Sequence, residues 1–523
     1  MKSKQAPLAK EESTLQEQPV ENWAEEAEGV LSCYDRIIIT GTLLPLGYAH
    51  GMTGYLYQHG IRIFDYAKFA EPLRERVRAN AEALAQANGV EIEFIRSKDV
   101  RKENRVQKVL KKRGAQPGLV HILGAMEACP SYRPWHNKVT GKTYLQADSS
   151  KCMTYYFYWM DEQLGLCYLR VPTWCPFRLQ FYFNGHNWLA GQLKKRRIAY
   201  EMMENAFIQI ADYDVADQLA NELNVKTLQR RLDQLAKQYC PVVADLKLNY
   251  HWSILQAEYA TDLVFKSREA LQAFYPHLLE TLTHVVKPTD IATFLGRKWS
   301  GNYQGEMGNR LNQRWLGTRI KHQMGPVSIK MYDKFGFILR IETTVNNVSF
   351  FQHYRKVEHR DGSTTTRWAP MKKTIHSLPA LREVLAAANQ RYLKFIASIS
   401  TPRVGMQKLH KLAETLIENQ HRHKGFNLFS EEDTCLFRTL LQGEFLISGF
   451  TNRQLRSQYL THKSASQVTR LLKRLRVHGL IKKVGKRYKY YLTDFGRETA
   501  SMALKLREMV VIPTLAYPTR ALS

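Results

Sequence analysis

The stretch Ser464–Leu492 reads SASQVTRLLKRLRVHGLIKKVGKRYKYYL, and its pattern decides the fold at the C-terminal end of the chain. Ser464 or Ser466 can cap a helix, since a short side-chain oxygen accepts from the free N–H groups of the first turn. Val468, Leu471, Leu472 and Leu475 recur at helical spacing as a buried stripe. Gln467, Arg470, Lys473 and Arg474 are left facing outward. Gly479 stops the helix. Ile481–Val484 and Arg487–Leu492 then alternate as two strands around a Gly485-Lys486 turn. Nine Lys/Arg and no Asp/Glu lie between Arg470 and Lys489, so helix and hairpin share a basic surface that calls for an anionic partner.

The preceding residues extend this unit. Ser430-Glu431-Glu432-Asp433 forms a capping box for a helix through Leu440 and Leu441. Phe445-Leu446-Ile447 reads as a short strand, and Thr451 caps a helix over Asn452–Leu460. Thr493 opens a last helix through Met509. The order resembles winged helix-turn-helix DNA-binding domains of the MarR type, over residues 426 to 512. The resemblance implies duplex contact by Ser466, Gln467, Arg470, Lys473 and Arg474 on the recognition helix and by Lys486, Arg487 and Lys489 in the wing. A winged helix that contacts only protein is the alternative.

The rest of the chain is also basic. Over 523 residues, 76 Lys/Arg against 48 Asp/Glu give a net charge of +28, which argues for nucleic acid before an anionic membrane surface. No apolar run reaches the 18 or more residues of a membrane span. The polar, acidic start is neither a signal peptide nor a transit peptide, so a cytoplasmic, nucleoid-associated protein is expected. The seven cysteines are scattered and none is at C-x-x-C spacing. Reduced, buried thiols are therefore expected rather than disulfides, with a zinc site among Cys129, His136, Cys152, Cys167 and Cys175 as the minor alternative.

The expected organisation is an α+β or α/β multi-domain chain. Residues 1–30, with seven Glu between Glu11 and Glu28, read as a disordered acidic tail. Residues 31–245 read as an α/β plus β-meander domain with Asp35–Gly41 as its first strand, and 198–290, which runs on into the next module, reads as mainly helical. Residues 246–376 read as a helical, then basic and β-rich nucleic-acid module, 377–425 as a helical linker, and 426–523 as the winged helix. No solenoid-type repeat is present.

Chemistry concentrates in Gly296–Glu342, GRKWSGNYQGEMGNRLNQRWLGTRIKHQMGPVSIKMYDKFGFILRIE. Arg297, Lys298, Arg310, Arg314, Arg319 and Lys321 are candidate phosphate contacts, and the glycines allow close approach of backbone amides. Trp299, Tyr303 and Trp315 offer faces for base stacking. Alternation puts Ile329, Met331 and Asp333 on one face of a hairpin and Lys330, Tyr332 and Lys334 on the other, while Ile338, Arg340 and Glu342 share a face. Tyr332-Asp333-Lys334 followed by Leu339-Arg340-Ile341-Glu342 resembles plasmid and phage rolling-circle replication initiators of the Rep_trans type. That resemblance implies a nicking tyrosine, Tyr332, and a Mg²⁺ or Mn²⁺ ion held by Asp333 and Glu342. The histidine-hydrophobic-histidine motif of the broader nickase superfamily is absent. Tyr332 as an ordinary strand residue and the acids as salt-bridge partners are the alternatives.

A second carboxylate set, Asp35, Glu127 and Asp161, falls on or at the ends of predicted strands, where a two-metal nuclease of RNase H type places its acids. In the strand around Tyr155–Trp159, Tyr155, Phe157 and Trp159 form one face and Tyr156 and Tyr158 the other, one of them core and one open to base stacking. His186, near a helix start, reads as a capping or core histidine. Walker A, dinucleotide-binding, nucleophile-elbow and zincin motifs are absent. The expectation is a nucleic-acid-binding protein of mobile-element or replication type that nicks or rejoins DNA with divalent metal. Its partner is DNA, with RNA as a second possibility. A non-enzymatic winged-helix regulator or RNA-binding protein is the alternative.

Overall fold

The β-branched run Ile37-Ile38-Ile39-Thr40 favours an extended strand, and its three isoleucines, which alternate between the two faces, are all buried, as an inner strand requires. It lies in β1 (Ala27–Leu43) of an eleven-stranded sheet. The computed structural model describes residues 23, 25–96, 101–114, 116–300, 302–314, 317–399, 403–484 and 488–516. The chain divides into two units, Met1–Ser400 and Thr401–Ser523.

The first unit contains β2 (Ile92–Ile95), β3 (Gly118–Asn137), β4 (Lys142–Asp161), β5 (Gly165–Pro172) and β6 (Leu179–Asn184). A small hairpin follows, β7 (Tyr200–Met203) and β8 (Ala206–Ile210). Then come β9 (Tyr250–Phe265), β10 (Met307–Arg314), β11 (Gly317–Met324), β12 (Val327–Lys334) and β13 (Ile338–Val345). The sheet order is β10-β11-β12-β13-β9-β1-β6-β5-β4-β3-β2, antiparallel throughout except for β2 against β3. Its two arms use the same connection: a first strand, then helices, then a meander whose last strand returns beside the first. In one arm β6 returns to β1; in the other β13 returns to β9. The mixed α/β class is as expected. The regions separated in sequence at residue 245 share this one sheet.

Two expectations need correction. Strand β1 begins at Ala27, inside the expected tail, and Trp23 is buried with its ring 5.6 Å from that of Phe274; residues 1–22 lie outside the described residues. The stretch 198–290 is rich in helix as expected, but the 16-residue strand β9, which the pattern did not announce, runs through its centre. Its Glu-x-x-Thr-Asp segment, with Thr261 and Asp262 buried, breaks the apolar pattern that marks an inner strand. The main core lies on the face of the sheet carrying Phe157, Phe181, Ile329, Leu339 and Ile341, under helices that include Leu378–Ile399. Among the described residues no helix is long and apolar enough to cross a membrane.

The second unit has its own core of Phe437, Leu440, Phe445, Phe450, Val468, Leu472 and Leu475. Ser430 caps the helix Glu431–Leu440, and Thr451 with Gln454 forms a capping box. Ser464 caps Ala465–Val477, with Gln467 returning the bond, and Thr493 caps Asp494–Leu506. Strands Ile481–Lys483 and Lys489–Leu492 pair with each other, and Phe450–Thr451 joins them. The expected strand at Phe445–Ile447 is instead part of the helix Gly443–Ser448. Gly449, at φ 66° and with no room for a Cβ beside the Tyr490 carbonyl, turns the chain from that helix into Phe450–Thr451.

Candidate metal centre

Every residue of β13 is buried, including Arg340 and Glu342. Charged side chains at the centre of a sheet must be paired, and their partners define the site. Antiparallel register puts Glu342 opposite Lys330 of β12 and Arg340 opposite Tyr332, while on the other side Arg340 faces Asp262 of β9. Strand β1, next to β9, adds Asp35. Asp35, Glu258 and Glu342, from β1, β9 and β13, each bring a carboxylate oxygen within 4.8 Å of the other two. Asp35 and Glu342 are buried and Glu258 is half-buried.

The surroundings hold these groups in place. Arg340 grips Asp262 with two bonds of 2.6 Å and reaches Asp35 Oδ2 at 3.3 Å. Asp35 Oδ1 also accepts from Asn184 and Asn205, each at 2.7 Å. Asn184 in turn caps the helix Gly185–Lys195, whose start lies so close to β1 that a Cβ on Gly185 would sit 2.1 Å from the Tyr34 carbonyl oxygen. That contact brings His186 to 3.4 Å from Asp35 and 3.7 Å from Asp262. The Tyr332 hydroxyl donates to Glu342 Oε2 at 2.7 Å, and Lys330 bonds Glu342 Oε1 while lying 3.5 Å from Glu258.

The electrostatics differ across the cluster. Burial alone would raise Asp35 and Asp262, but the Arg340 guanidinium and His186 hold both well below the usual aspartate range. Burial and then the neighbouring Glu342 push Glu258 up, against the opposing pull of Lys330. Burial and then Glu342 raise the Tyr332 hydroxyl well above its ordinary value, so it keeps its proton. Burial and then Arg340 bring the Lys334 ammonium down to about 8.

A row of cations leads from the sheet edge to this cluster. Register places Arg310 opposite Lys321, Lys321 opposite Lys330, and Lys330 opposite Glu342. Burial and then Lys330, Arg310 and Arg319 lower the Lys321 ammonium, the signature of like charges crowded together. Hard oxygen ligands from three carboxylates suit Mg²⁺ or Mn²⁺.

The structure thus unites one acid from each sequence-derived set, Asp35 and Glu342, with Glu258, which the sequence reading missed. The other named acids lie elsewhere. Asp333 points to the opposite side of β12 from Lys330 and binds Gln272 and the Gly336 amide. Glu127 is held by Lys102, Arg170 and Tyr156. Asp161 pairs with Arg231 and accepts from the amides of Gln163 and Leu164. The Tyr156–Tyr158 face is not open to bases: it packs under the helix Lys102–Arg113, and the Lys102 ammonium lies 3.6 Å from the Tyr156 ring centre. Among the described residues the cysteines and His136 form no metal-binding group. A groove of about 880 Å³ beside Trp159, Arg230 and Arg231 includes none of the three clustered acids.

Of the candidate phosphate contacts, Arg297 stacks on Phe350 at 4.7 Å and Lys298 is exposed. Arg319 lies opposite Tyr332 in β11. The Arg314 side chain, Trp315, Lys486 and Arg487 lie outside the described residues. In the second unit Ser466, Gln467 and Arg470 are exposed, and Lys489 is half-buried. Lys473 pairs with Glu418. Arg474 does not face outward: its guanidinium binds Asp433 at 2.9 and 3.1 Å and lies 3.9 Å from the Phe426 ring centre. No protein-family model, no curated protein and no solved structure matches this chain.

Proposed function

We propose that this chain cleaves or rejoins DNA strands with a divalent cation held by Asp35, Glu258 and Glu342. One observation carries the reading: three carboxylates converge at the inner end of the cation row Arg310–Lys321–Lys330. Such a row matches a phosphate backbone, and its inner end brings a phosphate to the acids. A bound cation supplies positive charge to the phosphoryl oxygens and lowers the pKa of a bound water. Arg340 and the two asparagines fix the Asp35 carboxylate, Lys330 neutralises the incoming phosphate, and Tyr332 orients Glu342 through its hydroxyl. Tyr332 acts as a positioning residue in this scheme, since its proton is firmly held. Residues 426–512, as a winged helix-turn-helix, supply duplex recognition through Ser466, Gln467 and Arg470.

The test is metal-dependent cleavage of end-labelled single-stranded and hairpin DNA by the full chain. Glu258→Gln and Glu342→Gln are expected to abolish cleavage with Mg²⁺ or Mn²⁺ while DNA binding stays near the parent's, because an amide of the same shape lacks the charge that holds the ion. Tyr332→Phe is expected to cleave; its complete loss would move the scheme to a covalent phosphotyrosine route. A parent that cleaves nothing with either ion overturns the enzyme reading. One observation favours a second reading, a non-enzymatic nucleic-acid binder. Lys330 already bridges Glu258 and Glu342, so the acids would then serve as a structural ion-pair group.

A further inference from the structure

Residues 352 to 370 form a two-stranded ribbon that no other strand joins, β14 (Gln352–Glu358) and β15 (Thr364–Pro370). Phe351 and Met371 are buried at its base and joined by a backbone bond of 2.9 Å. Beyond them, Ala369 is the one ribbon residue that is buried. Seven residues per strand give an arm about 24 Å long. Isolated two-stranded ribbons are only marginally stable, so a long one standing off a large sheet needs a reason.

The composition of its faces supplies one. Register pairs Tyr354 with Trp368 on one face, followed by Lys356 with Thr366. The rings lie 5.9 Å apart, and Tyr354 and Trp368 remain 57% and 65% exposed. The cross-strand pair steadies the ribbon, but it leaves most of both rings in water. On the other face Arg355 lies directly opposite Arg367, a like-charge pairing that weakens a hairpin. Arg355 spends donors on the Pro370 and Lys356 carbonyls. Among the described residues none of Arg355, Lys356, Arg360 and Arg367 is ion-paired. Exposed rings beside unneutralised cations suit a ligand that is flat, stackable and anionic. An acidic protein surface answers the charge but not the rings; unpaired bases on a phosphate backbone answer both.

We infer that the β14–β15 arm is a stacking arm for single-stranded nucleic acid, with Tyr354 and Trp368 as base platforms and Lys356 and Arg367 as phosphate contacts. The inference rests on the nucleic-acid reading above and adds strand type to it.

The test is fluorescence anisotropy of the full-length chain with a labelled oligothymidylate of about 20 nucleotides and with a duplex of the same length, both at low salt without divalent metal. The parent is expected to bind both. Trp368→Ala and Tyr354→Ala are expected to weaken single-strand binding about tenfold each and duplex binding less than about twofold. Trp368→Phe, which keeps a stacking face, is expected to stay within about threefold of the parent. Unchanged single-strand binding by both alanine variants, or equal weakening on both ligands, overturns the arm inference and leaves the nucleic-acid reading intact. A parent that binds neither oligonucleotide overturns the nucleic-acid reading itself.

Discussion

Replacing Arg340 with Met removes the cation that bonds both buried aspartates and leaves them the longer contacts of His186, and the size of the effect follows from the geometry. Arg340 is fully buried, 2.6 Å from Asp262 and 3.3 Å from Asp35. At an effective dielectric of about 20, each contact is worth about 5–6 kcal/mol of attraction, most of which offsets desolvation. Asp35 keeps its bonds from Asn184 and Asn205, whereas Asp262 loses its two-bond partner, so Asp262 dominates. Left with only His186 at 3.7 Å, it escapes by taking up a proton. From an ordinary value of 3.8, that costs about 4.4 kcal/mol at pH 7. The expected loss is therefore about 3–5 kcal/mol at pH 7. Its pH dependence has a definite sign. In the parent both aspartates are held low, so their contribution is complete above 3.8 and is lost only as pH falls through their folded values. The folded variant carries a proton that its unfolded chain lacks, so its stability falls as pH rises, by about 1.4 kcal/mol per unit. Parent and variant should converge toward pH 4. All nine tryptophans precede residue 400, so urea titration followed by tryptophan emission reports on this unit alone. Arg340→Met/Asp262→Leu should recover at least about half the loss, because the stranded charge is gone. A single-variant loss below about 1 kcal/mol, or one that does not change with pH, refutes the account.

Two further outcomes can be measured on the same protein. Lys334, brought down to about 8 by burial and by Arg340, costs stability while charged, in full below pH 8 and progressively less as pH rises toward its unfolded value of 10.5. Lys334→Met should therefore be more stable than the parent at pH 7, by a margin that narrows at pH 9.5; a widening margin in urea titrations contradicts this. Arg470→Ala is expected to weaken binding to a selected duplex by about 1–3 kcal/mol and to random duplex much less, as for a lost base contact. Equal losses on both duplexes in anisotropy titrations would remove Arg470 from sequence readout.

What the sequence disclosed follows from the range over which its signals act. Caps at Ser430, Ser464 and Thr493 are local, and each side chain bonds an amide three residues on. The alternation of Ile329 and Met331 against Lys330 and Tyr332 is also local, and it correctly separates core from site. Strand β9 escaped because its acids find distant partners, Asp262 with Arg340 78 residues on and Glu258 with Lys330 72 residues on, so its polar positions read as solvent-facing. Glu258 went with it. Asp35 and Glu342 were each noticed, but nothing within either segment says that β9 joins them. Arg474 misled for the same reason, since its partner Asp433 lies 41 residues upstream. The missed residues share one trait: a polar side chain whose burial is offset by a distant partner carries no local signature.

The seam between β1 and β9 also sets an order of events during synthesis. Strand β1 ends at Leu43 and gains β6 by residue 184, but its other edge stays open until Phe265 has been made. At about 5–20 residues per second, the wait from residue 43 to residue 265 lasts roughly 11–44 seconds. For that time a long, apolar, unpaired edge is exposed on the nascent chain, the kind of edge that recruits strands from other molecules. A chain truncated before residue 250 is left as a sticky half-sheet that carries Asp35 alone. Conversely, pieces cut at residue 245 would each present one half of the seam, and only their reunion would bring Asp35 to Glu258 and Glu342.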